Sequence, residues 1–110
     1  MIRNREQLKR HFEQKADTAP HTDSEICRLI TESGLYGWRP TEVTVTSNLK
    51  KRTRKPKFRA RITYEGDWDP DYGSGLFFTT IIEEIDGILD YAGNGLWSPK
   101  IVDRKFTCET

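Results

Sequence analysis

Residues 57–65, KFRARITYE, alternate apolar and polar positions without a break. Phe58, Ala60, Ile62 and Tyr64 fall on one side, and Lys57, Arg59, Arg61 and Thr63 on the other. That is the period of a half-buried strand. Residues 41–49, TEVTVTSNL, also alternate and are rich in β-branched side chains, so they predict a second strand with Val43 and Val45 on its buried face. The two strands are expected to pair as a hairpin around a long loop, residues 50–56. LFFT, residues 76–79, predicts a short third strand, and KIVDRKFTC, residues 100–108, a last one at an edge.

Elsewhere the apolar spacing is helical. Asn4, with Gln7 three residues on, predicts a capped helix over residues 4–16 with a thin apolar face of Leu8, Phe12 and Ala16. DTAPH should break it, because Pro20 disfavours helix in the residue before it. Thr22 and Glu25 form a capping box that opens a helix over residues 22–33, with Ile26, Leu29 and Ile30 on one face and Gly34 as its stop. GLYGWRP and GDWDPDYGSG read as turn and loop. Thr80 and Glu83 suggest a further capping box. Ile81, Ile82, Ile85, Ile88, Leu89 and Ala92 then predict a helix over residues 81–92, ended by Gly93. On this reading Glu83, Asp86 and Asp90 share its opposite, solvated face. The expected fold is α+β: a small antiparallel sheet of three to four strands packed against two helices, with an additional N-terminal helix. Residues 1–21 are expected as a helical arm and linker, and residues 22–110 as a single domain.

Composition sharpens this picture at two points. Of 110 residues 32% are charged, which is polar for a globular domain, but three Trp, four Tyr and five Phe supply a core. The formal net charge of +1 conceals two blocks. Lys50, Lys51, Arg52, Arg54, Lys55, Lys57, Arg59 and Arg61 come first with no acid among them. Glu65, Asp67, Asp69, Asp71, Glu83, Glu84, Asp86 and Asp90 follow with no base among them. A dipolar molecule is the simplest expectation. Cys27 and Cys108 make no disulfide framework, the N-terminal residues carry no apolar signal core, and no apolar run is long enough to span a membrane. A soluble cytoplasmic protein with reduced thiols is therefore expected, and no cofactor is implied.

The basic block is the leading candidate for chemistry. Lys57, Arg59 and Arg61 project from one side of a strand, and Lys50, Lys51, Arg52, Arg54 and Lys55 extend the cluster into its loop. Such clusters attract phosphate backbones, because each neutralised phosphate releases counterions. A hairpin with a basic tip can enter a groove or follow a single strand. A charged, solvated edge that discourages aggregation would carry the same residues. The acidic residues suggest a docking surface for a basic protein, with Trp68 and Tyr72 as anchors beside Asp69 and Asp71, and with Glu83, Asp86 and Asp90 as an acid stripe. Asp67, Asp69 and Asp71 alternate as in a calcium loop. Tyr72 stands where that loop needs glycine, however, and Phe78 where it needs a bidentate Glu. Asp71 with Asp103 and Lys105 makes only a chance-level metal-nuclease pattern, and Cys27 with His11 or His21 a weaker nucleophile–base pair. Trp38 and Trp97, each near a proline, read as lids on the core.

Residues 22–92 read as α-β-β-β-α, and this order resembles the double-stranded RNA-binding domain. Where that family carries lysines at the start of its last helix, Thr79, Thr80, Glu83 and Glu84 stand here. The function expected is a small non-enzymatic binding protein whose basic hairpin contacts DNA or RNA. The alternative is a protein–protein module, such as an inhibitor, adaptor or immunity-type protein of the kind mobile elements carry, acting through its acids.

Overall fold

A computed structural model describes residues 1–49, 54–68 and 79–109. Two helices precede four strands: α1 (Arg5–Thr22), α2 (Ser24–Ser33), β1 (Leu35–Ser47), β2 (Lys57–Trp68), β3 (Thr80–Gly93) and β4 (Leu96–Glu109). The strands form one antiparallel meander in the order β1-β2-β3-β4. The fold is α+β, with a four-stranded antiparallel sheet and two helices.

The Asn4 cap forms as its spacing predicts. Its side chain accepts from the Gln7 N–H at 2.9 Å, and the Gln7 amide oxygen accepts from the Arg3 N–H at 2.8 Å. The helix does not stop at DTAPH, however. It runs through Pro20 to Thr22, since a proline in the last turn removes one ladder bond without ending the helix. Asp23, rather than Thr22, caps α2, accepting from the N–H groups of Glu25 and Ile26 at 3.0 and 3.2 Å. Gly34 ends α2 in the left-handed conformation, φ 76°. GLYGWRP is not a free turn. Most of it begins β1, paired with the end of β2 through two register irregularities.

The predicted helix over residues 81–92 is strand β3. Along a strand, Ile81, Glu83, Ile85, Gly87 and Leu89 face one way, all buried, while Ile82, Glu84, Asp86, Ile88 and Asp90 face the other. Isoleucine occurs four times in this run and is β-branched, which suits the pleat. Asn94 and Gly95 then form a two-residue connection, with φ 56° and 72°, between Gly93 and Leu96. Positive φ at both positions is what a tight type I′ hairpin turn requires. Without a helix after β3, the resemblance to the double-stranded RNA-binding domain does not hold.

The core lies between the helices and one face of the sheet. Leu8, Phe12, Ala16 and Ala19 of α1 and Ile26 of α2 meet Phe58, Ala60, Ile62 and Tyr64 of β2 and Ile81, Ile85 and Leu89 of β3. Phe12 and Phe58 rings lie 5.3 Å apart. Trp38 and Trp97 are partly buried against this cluster, as core lids should be. At the start of β4, Ile2 and Trp97 exchange two backbone hydrogen bonds, 2.9 and 2.7 Å, which fixes the entry to α1. Among the described residues no helix is long and apolar enough to cross a membrane.

Candidate functional site

Alternation along β2 sends its bases to the face away from the helices. Lys57, Arg59 and Arg61 are all exposed there. They are not alone on that face. Arg59 stands opposite Asp86, with Nε donating to the carboxylate at 2.7 Å, and Arg61 stands opposite Glu84. One strand further, Lys105 is opposite Glu84 and Asp103 opposite Asp86. Arg59 is 67% exposed and Asp86 44%, so this pair sits in water. The middle of the outer face is therefore a lattice of both signs rather than a basic stripe.

The ends of the sheet differ. The basic loop leaves at Ser47 and returns at Lys57, where Arg54 and Lys55 are exposed. Lys50, Lys51 and Arg52 lie outside the described residues. At this end Lys57 and Lys100 flank Ile88 in one cross-strand row, and Arg3 follows Ile2, which is bonded to Trp97. Asp90 lies one step beyond Ile88 on the same face. Sequence reasoning missed Arg3 and Lys100, because their place at this end of the sheet follows only from β3 being a strand and from the Ile2–Trp97 bridge. β2 ends at Trp68 and β3 begins at Thr80, both at the opposite end of the sheet from Lys57. Asp69, Asp71 and Tyr72 lie outside the described residues. β2 has 12 residues, so its two ends are about 36 Å apart.

The acid stripe of Glu83, Asp86 and Asp90 does not form as one surface. On a strand, positions 83 and 86 face opposite ways. Asp86 and Asp90 stay on the outer face, while Glu83 points into the core with no exposed surface. Three side chains satisfy it there. Lys15 Nζ lies 3.3 Å from Oε2, the Tyr64 hydroxyl donates to Oε1 at 3.2 Å, and Arg104 Nε donates to Oε2. Arg104 also bonds the Asp23 carboxylate. Two carboxylates and two cations thus join α1, the start of α2, β3 and β4. Burial raises Asp23, but the Arg104 bond and the backbone N–H of Ile26 outweigh it and hold the group below its ordinary range. Burial, and then the Glu83 charge, push the Tyr64 phenol far up. With no exposed surface, Glu83 is out of reach of a substrate, and the network reads as a clasp between elements.

The remaining candidates are dispersed. Cys27 is half-buried, and its thiol donates to the Pro20 carbonyl. His11 meets the Phe12 ring edge-on, and burial, with Lys15 and the N-terminal amine nearby, lowers its pKa. Burial raises the Cys108 thiol. The Asp103 carboxylate accepts from the Arg104 N–H at 2.9 Å. Among the described residues no three His, Cys, Asp or Glu side chains gather as metal ligands would. Compared with protein-family models, curated proteins and solved structures, the chain matches none.

Proposed function

We propose that the protein is a non-enzymatic binding protein that contacts nucleic-acid phosphates through the basic end of its sheet. The contacts are Arg54, Lys55 and Lys57 with Lys50, Lys51 and Arg52 of the same loop, extended by Lys100 and Arg3. One observation carries this reading. The basic loop and the acidic residues that follow Gly66 join the sheet at opposite ends of β2, about 36 Å apart. At a Debye length of about 8 Å the acids at the Trp68 end, Glu65 and Asp67, cannot neutralise the basic end, and they orient the molecule by repelling phosphate from their own; Asp86 and Asp90 of β3 stand close to the bases and offset part of their charge. Arg59 and Arg61 contribute less, because Asp86 and Glu84 stand opposite them. The free thiols Cys27 and Cys108 support a cytoplasmic place of action.

The test is a salt titration of binding to labelled single- and double-stranded DNA and RNA. Micromolar affinity that falls steeply with salt is expected. Arg54→Ala with Lys55→Ala should lower the slope by about 2, near 0.9 for each phosphate no longer neutralised. Arg61→Ala should leave it almost unchanged. Absence of binding at low salt overturns the proposal and turns attention to a protein partner for the acids.

A further inference from the structure

The two edges of the sheet are not equally guarded. β4 carries Pro99, a register irregularity opposite Asp86 and Gly87, and the charges Lys100, Asp103 and Lys105. These are the features that discourage strand addition. β1 is different between Glu42 and Ser47. It pairs with β2 in unbroken register on one side, and no described strand lies on the other. The run Val43, Thr44, Val45 and Thr46 is β-branched and uncharged, and every second residue turns its N–H and C=O outward.

A groove follows this edge. Beside Val43 and Val45 it has a volume of about 660 Å³ and is flanked by Arg5, Glu6 and Lys9 of α1, with Glu6 paired to Arg10 at 3.5 Å. It continues past Pro40 and Glu42 as a second hollow of about 440 Å³, flanked by Glu13 and Asp17. Along the helix that borders the edge, the row Arg5, Lys9, Glu13 and Asp17, four residues apart, thus passes from basic to acidic. Such a seam is complementary to its own reverse. We propose that β1 pairs with β1 of a second copy, antiparallel about a two-fold axis near Val43 and Thr44, to make one eight-stranded sheet. Lys9 then faces Glu13 of the other copy, and Arg5 faces Asp17. Both pairs have their midpoint at the level of His11, so a single two-fold axis serves both. Each pair occurs twice, as an isologous interface demands.

Sedimentation of the full chain over a micromolar concentration series tests this without nucleic acid, so the outcome is independent of the proposed function. A reversible dimer is expected. Lys9→Glu should weaken it at least tenfold. Lys9→Glu combined with Glu13→Lys should restore it, because the exchange rebuilds the same pairs across the axis. Thr44→Lys, which sets like charges together near the axis, should also weaken it while helix content by circular dichroism stays unchanged. A monomer at every concentration, or a dimer indifferent to Lys9→Glu and Thr44→Lys, overturns the proposal.

Discussion

Glu83 is a carboxylate with no exposed surface, tolerated because Lys15, Arg104 and Tyr64 satisfy its oxygens. Glu83→Gln keeps the shape and removes the charge, leaving two cations beside a neutral amide. The expected loss is about 3 kcal/mol, at the lower end for a broken buried pair because Lys15 and Arg104 keep some solvent. Urea unfolding measures it, and an unchanged midpoint would show that the clasp adds no stability. Tyr64 gives the same site a pH signature. Its phenol lies above the ordinary value of 10.0 because of burial first and Glu83 second. Above that pH the unfolded chain releases this proton before the folded one does. Stability is therefore intact below about pH 10 and falls as pH rises further. Tyr64→Phe should flatten that alkaline limb in unfolding curves taken between about pH 9 and 11. Asp23 acts at the other extreme. Its lowered pKa supplies stability above its ordinary 3.8, and this is lost as pH falls below that value.

β3 is the element where local pattern and fold disagree. Its apolar residues satisfy a helical period as well as a strand period, and the inward Glu83 hides the alternation. Two signals nevertheless favoured the strand. Asn94-Gly95 between periodic runs is a hairpin signature, and Gly87 is poor in a helix interior. Gly87 also has a role that only the sheet reveals. A Cβ there would lie 2.3 Å from Phe58 Cζ and 2.4 Å from the Lys100 carbonyl oxygen, so the Phe58 ring occupies the space above the glycine. Gly87→Ala should destabilise by about 1–3 kcal/mol through overpacking, measured by thermal unfolding, with Phe58→Leu in the same background recovering part of the loss. Legibility followed the same line elsewhere. β2 was readable to its buried Phe58, Ala60, Ile62 and Tyr64, since every inward position is apolar. The early half of β1 was not, because Gly37 and Pro40 mimic a turn while the register shifts absorb them. The bases of the loop could be read from the sequence. Their neighbours Arg3 and Lys100 could not, and neither could the acids set against Arg59 and Arg61, because strand register alone makes those neighbours.

The molecule as a whole is elongated, 52 × 20 × 18 Å, with a Cα radius of gyration of 15.7 Å. A compact domain of this length would have about 13 Å. Small-angle scattering from dilute monomer should therefore give a pair-distance curve with a tail reaching about 50 Å, set by the strand length. A symmetric curve ending well short of that would contradict the open meander. The Ile2–Trp97 bridge has a further consequence, for the order of events on the ribosome. Phe12 awaits Phe58, Lys15 awaits Glu83, and Ile2 awaits Trp97. At about 5–20 residues per second, α1 emerges seconds before the strands that cover its apolar face. The helix is made before every strand it packs on, so the nascent chain must keep Leu8, Phe12 and Ala16 covered by other means until β2 and β3 have been synthesised, and Ile2 must wait for β4.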